Sequence, residues 1–199
     1  MALVASPYGL RPFNMIGGSP YNGGTVRQVP MTVNSANGIG FGDVVLIGAA
    51  SAGQPTAASA TPVAGTTGGV LGVCVGCSFI DPTLKQQQFA NGLPANAVTG
   101  GYTNIQVFVN DDPRQLYLLQ SVGSVADIFF GKSCALGNFG AQNVYGNSPV
   151  NGVAPANTPA TLAMRIVGFN SPASDGFRDL VVKFNAGVLM WDNAILLAN

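Results

Sequence analysis

The chain has 199 residues, enough to bury a real hydrophobic core, but only 8% are charged, against roughly 25% in an ordinary soluble domain. Eight basic and eight acidic side chains cancel, so no electrostatic field draws the protein directly to nucleic acid or to an anionic membrane surface. With 47% hydrophobic residues and so little charge repulsion, a freely exposed surface is a colloidal risk, and the composition points to an assembly component whose surface is covered by partners.

Twenty-seven glycines and thirteen prolines break the apolar runs every ten residues or so, a spacing that predicts short strands joined by turns rather than long helices. Residues 1–24 read as an extended N-terminal arm. Pro7, Pro12 and Pro20 set extended backbone, and Gly17, Gly18, Gly23 and Gly24 loosen it. The arm also carries Leu3, Tyr8, Leu10, Phe13, Met15, Ile16 and Tyr21, so it is built to lie on a surface. That surface is either the protein's own core or a neighbouring subunit.

A β-rich body follows over residues 25–186. Val29, Met31 and Val33 alternate with polar neighbours, and Asp43–Ile47 is a short apolar strand. Residues 48–69 are a loop rich in Gly, Ala, Ser, Thr and Pro. Val70–Ile80 predicts a buried strand in which Gly72 and Gly76 admit a bulge or a close neighbour. A turn-rich link at 91–101 leaves open a division into two lobes. Tyr102–Val109 and Gln115–Gln120 are the next strands, separated by a turn at Asp111-Asp112-Pro113. Residues 125–130 suit either a helical turn or a strand. Leu162–Phe169 and Phe177–Phe184 pair as a hairpin, with Leu180, Val182 and Phe184 on one side and Asp179 and Lys183 on the other. Residues 187–199 form an apolar C-terminal tail with Met190, Leu196 and Trp191, the only tryptophan, and a tail of this character docks. The expected fold is therefore all-β, a β-barrel or β-sandwich body with an extended arm and an apolar tail.

Chemistry is poorly provided for. There is no histidine, so neither a Ser-His or Cys-His pair nor a histidine metal site can be assembled. All eight acidic residues are aspartates, and the adjacent Asp111 and Asp112 read as turn residues before Pro113. Cys74 and Cys77 have the spacing of a redox or zinc half-site. On a regular strand, however, they point to opposite faces, and only Cys134 remains as a third thiol. Buried, inert cysteines are the expectation. Three cysteines do not close a disulfide framework, and Met1–Ser6 lacks the basic start of a secretory signal, so synthesis in a reducing cytoplasm is expected. No run is long and apolar enough for a spanning helix. The expectation is a non-enzyme without cofactor or metal.

Three segments resemble a family of tailed-bacteriophage virion proteins that decorate and cement the capsid. The first is Met1-Ala-Leu-Val-Ala-Ser-Pro-Tyr-Gly-Leu-Arg-Pro12 with Ile16-Gly-Gly18. The second is Gly72-Val-Cys-Val-Gly-Cys-Ser-Phe-Ile-Asp-Pro82, which alone is weak. The third is Asp111-Asp-Pro-Arg-Gln-Leu-Tyr117 with Gln120 and Gly123. The similarity covers most of residues 1–125 and weakens afterwards. It implies a structural protein on the outer capsid surface of the virion, made in the host bacterial cytoplasm, that bridges neighbouring major capsid protein subunits and other copies of itself. The arm and tail would then supply the partner contacts through Leu3, Tyr8, Leu10, Arg11, Phe13, Tyr21, Met190, Trp191 and Leu196. A head- or tail-fibre adaptor is the alternative, and it should expose aromatics on a body loop. A cysteine-dependent enzyme is a more distant one and would need a reactive Cys134.

Overall fold

The computed structural model describes residues 5–21, 23, 26–47, 55–58, 69–153 and 162–192. The fold is all-β, and among the described residues every pair of strands is antiparallel. In chain order the strands are β1 (Arg11–Met15), β2 (Val26–Pro30), β3 (Val44–Ile47), β4 (Pro55–Ala57), β5 (Val70–Ile80), β6 (Gln87–Ala90) and β7 (Thr103–Asn110). Then come β8 (Gln115–Gln120), β9 (Ser133–Cys134), β10 (Leu136–Gly137), β11 (Asn151–Gly152), β12 (Met164–Phe169) and β13 (Asp179–Phe184). Single 3-10 turns at Asp127–Phe129 and Met190–Asp192 are the only helical elements named among the described residues. No helix there is long and apolar enough to cross a membrane.

One sheet runs β1-β8-β13-β12-β9 and the other β2-β7-β5-β3-β4, with β6 also paired to β5, and a small ribbon joins β10 to β11. The two sheets pack face to face without closing into a barrel. Tyr117, Leu119, Ile166, Leu180, Val182 and Phe184 from the first meet Val44, Val70 and Val73 from the second. A second core lies on the far face of the second sheet, where Val45, Leu71, Cys74, Cys77, Val107 and Val109 are covered by Met31, Ile39, Leu93 and Ala97. The 91–101 link thus roofs that core through Leu93 and Ala97.

Strand β5 serves both cores, and two glycines let it do so. At Gly72 an added Cβ would collide with the carbonyl oxygen of Asn110 and lie 2.8 Å from Val109 Cγ1, so β7 approaches this closely only against glycine. Gly76 sits at φ +138°, in a bulge between Cys74 and Gly76. The extra residue resets the alternation, and Cys74 opposite Val109 and Cys77 opposite Val107 point to the same side. This corrects the expectation that the two thiols face apart. Strict period-2 counting does not see an inserted residue.

The arm is also corrected in part. Residues 11–15 form the edge strand of the first sheet against β8, and Leu10 is fully buried between the sheets. Beyond β13, Val188 and Leu189 are buried in the first core, and Val70 N–H donates to the Val188 carbonyl. Val33 lies past the end of β2, which stops at Pro30. Positions 48–54 and 59–68 of the predicted loop lie outside the described residues.

Replacing Gly72 with alanine overpacks the β5–β7 contact, a change that costs about 1–3 kcal/mol. The urea midpoint of Gly72→Ala should fall accordingly, while Gly123→Ala, where nothing lies within 4 Å but φ is +97°, should lose less.

Candidate interaction surface

The residues proposed from sequence as partner anchors fall into three groups. Leu3 and Leu196 lie outside the described residues. Leu10 has no exposed surface, because an apolar side chain just before an edge strand fills the gap between the sheets. It anchors the chain to itself, and its assignment as a partner contact is withdrawn. The others retain some accessible surface. Tyr8, half-buried, donates its hydroxyl to Asp179 Oδ1 at 2.7 Å, and burial with this carboxylate raises its pKa. The Arg11 guanidinium lies 5.0 Å over the Tyr8 ring on the exposed side of β1. Phe13 and Tyr21 are half-buried, and Met190 packs on the second core.

Trp191 forms a corner of its own. Its Nε1–H donates to Asp111 Oδ2 at 3.2 Å, and the same oxygen accepts from Arg27 Nε at 2.8 Å. Arg27 also stacks 4.9 Å from the indole centroid. Strand β2 delivers Arg27, and the end of β7 delivers Asp111. With Asp112 and Arg114 these residues line an open hollow of about 500 Å³. Trp191 keeps 49% of its surface exposed, so it latches the C-terminal segment and still presents an aromatic edge.

The larger surface is one that the sequence reading missed. Val144 and Tyr145 are 94% and 76% exposed, at the tip of a loop whose base is heavily hydrogen-bonded. Asn143 Oδ1 accepts from the Tyr145 and Asn147 amides at 2.9 and 3.0 Å, and the Asn143 amide donates to the Asn147 carbonyl. The Gly146 carbonyl accepts from Phe41 N–H at 2.8 Å, and Asn91 Nδ2 donates to the Tyr145 carbonyl at 3.4 Å. Gly92 and Gly146 bring the backbones into contact: a Cβ on Gly146 would lie 2.9 Å from the Gly92 nitrogen. The tip is therefore pre-organised, and holding it still costs little on binding.

Beside the tip, Arg11, Phe41, Asn91 and Asn147 line a hollow of about 300 Å³. On the other side of Asn91, a hollow of about 430 Å³ lies under Phe89 and Phe108, whose rings are 6.4 Å apart and tilted by 31°. Phe89 is 73% exposed on β6. Phe108 pairs with Gly76 and Phe89 with Ser78, so both rings stand on the face of β5 opposite the thiols. Among the described residues, Arg11 is the only charged one lining either hollow. The result is a contiguous, nearly uncharged aromatic surface of the kind that marks protein contacts. A sequence signal for it did exist: Val144-Tyr145 sits inside the turn-forming run Gln142-Asn143…Gly146-Asn147 and so has no strand in which to be buried.

The three thiols and Asp43 are placed unfavourably for covalent chemistry. All three thiols are free and buried, and burial pushes Cys77 and Cys134 up to about 12 and Cys74 upward as well. Buried Asp43 has its pKa raised by burial, and its carboxylate accepts from Gly40 N–H at 2.6 Å. Among the described residues, no three His, Cys, Asp or Glu side chains gather where they could hold a metal ion. Comparison with known proteins matches the chain to no family model, no curated protein and no solved structure.

Because the folded thiols ionise at higher pH than the 9.0 of a free thiol, the unfolded chain releases those protons first. Stability is then intact below about pH 9 and falls as pH rises through about 12. Urea titrations across that range should show the decline, and a maleimide at pH 7 should label the native protein at none of its three cysteines. Trp191→Ala removes a half-buried indole and should lower stability by roughly 1–2 kcal/mol in the same assay.

Proposed function

We propose that this protein is a non-enzymatic structural component of a phage virion that decorates and cements the capsid by bridging neighbouring major capsid protein subunits on the outer shell. The observation that carries this reading is the pairing of a rigid, hydrogen-bonded β-sandwich with a pre-organised, nearly uncharged aromatic face around Asn91. A cement acts by buried area and needs no turnover. Contacts that are weak singly gain from repetition on a symmetric lattice. The low charge lets close-packed copies approach without repulsion. The resemblance of residues 1–125 to capsid-decorating virion proteins supplies the identity of the partner, and the buried thiols weigh against a cysteine-dependent enzyme.

A specific observation favours a second reading. A fibre adaptor should expose aromatics on a body loop, and Tyr145 is such an aromatic. Removing residues 2–22 does not separate these readings, because it would take Leu10 and β1 out of the body. Substitutions on the exposed face do. Purified protein mixed with undecorated capsids should co-sediment and add density at the joints between capsid subunits. Phe89→Ser should weaken that binding by about tenfold or more, as for a typical interface anchor, with the far-ultraviolet spectrum unchanged. Density confined to the tail or fibres would favour the adaptor, and no particle binding at all would overturn both readings.

A further inference from the structure

We propose that the chain self-associates as a two-fold dimer in which Tyr145 of each copy seats in the hollow between Arg11, Phe41, Asn91 and Asn147 of the other. The dimer covers the same face around Asn91 that the capsid reading assigns to a capsid subunit, so the two contacts exclude each other; the inference concerns the purified protein alone, and its test uses no capsids.

The knob and the hollow are neighbours by construction. Asn147 lines the hollow, and its amide also donates to Asn143 Oδ1 at the base of the tip. Asn91 lines the hollow and holds the Tyr145 carbonyl. Phe41 forms a wall, while its amide and carbonyl bond to Gly146 and Ser148 at 2.8 and 2.9 Å. A two-fold axis passing between tip and hollow lays each tip over the other copy's hollow, so both contacts form at once. A foreign partner would have to present a matching hollow and knob side by side, whereas a second copy does so by symmetry.

The chemistry is complementary as well. Among the described residues Arg11 is the only charged one lining the hollow, and it already lies against one aromatic ring. An incoming phenol offers a second π-face to the cation and a hydroxyl to the amides of Asn91 and Asn147. Tyrosine and arginine are the side chains on which interface energy concentrates. A standard contact needs about 800 Å² from each copy. The tip alone is too small, but the exposed Val144 and the adjoining Phe89–Phe108 face extend it on the same surface. A net charge of zero leaves little long-range repulsion between copies.

Sedimentation equilibrium on the full chain from about 1 μM to 1 mM, a range that brackets ordinary weak association, tests this. The average mass should rise to a plateau at twice the chain mass. Tyr145→Ala on the knob and Arg11→Glu at the hollow should each weaken association by at least about tenfold, and Arg11→Gln provides a milder hollow variant if the reversal disturbs β1. Mixing the Tyr145→Ala and Arg11→Glu proteins should restore part of the association. The mixed pair keeps one intact contact, an unaltered Tyr145 in an unaltered hollow, while each variant alone keeps none. A wild-type protein that stays monomeric across the range overturns the proposal. So does an open-ended series of larger species, an unchanged Tyr145→Ala protein, or a mixture no stronger than its components.

Discussion

The structure depends on one constraint: β5 must be buried on both faces at once. Val70 and Val73 enter the core between the sheets, while Leu71, Cys74, Cys77 and Phe79 enter the second core on the far side. A strand with two dry faces has no room for a polar row, and Val70–Ile80 accordingly contains no charge. It also has to accept β7 on one side and both β3 and β6 on the other. Gly72 permits the close approach of β7, and the bulge at Gly76 turns the strand so that its second half faces a new set of neighbours. The cysteines are explained by the same constraint, as small apolar side chains on a crowded strand.

With the centre dry, the few charges act as ties between segments. Arg178 is only 4% exposed, and its guanidinium is well matched. It donates to the Val125 carbonyl and Asp127 Oδ1 at 2.7 Å and to the Ser171 carbonyl at 2.8 Å, and it stacks 3.6 Å from the Phe169 ring. That one side chain fastens the 125–127 turn and the β12–β13 loop to the first sheet, and its donors make a buried charge tolerable. Arg27 and Asp111 do similar work at the Trp191 corner. The neutral outer face follows from the small number of charges in the chain, 8% of its residues.

The strands were legible where a local pattern decided them. Val70–Ile80 and Gln115–Gln120 have the bounds expected, because a continuous apolar run and a rigid Pro113 turn mark them. The β12–β13 hairpin and its inward Leu180, Val182 and Phe184 follow from alternation alone. What required three dimensions was whatever a distant residue decides. The bulge at Gly76 is set by β7, and it moved Cys77 to the side of Cys74. Leu10 reads like any apolar residue of an extended segment, and only the gap between the sheets makes it core. The contact surface was the least legible part. Tyr145 and Phe89 are separated in sequence by strands β7 to β10, and they become neighbours through Asn91.

With Leu10, Val188 and Leu189 buried in the chain's own core, these three residues supply no contact for the bridging proposed above. A protein that joins subunits needs contact surfaces that point in different directions, because a single face yields decoration without a clamp. The second sheet supplies two. Arg27 lies opposite Val109 on the side of the second core and carries Trp191 with it, whereas Phe89 and Phe108 stand on the reverse side with Gly76 and Ser78. One sheet thus presents a charged, tryptophan-bearing corner one way and an uncharged aromatic face the other, held at fixed angle by the strand ladder between them. In the proposed lattice role, that geometry would let one rigid sheet meet two different neighbours and pass load between them.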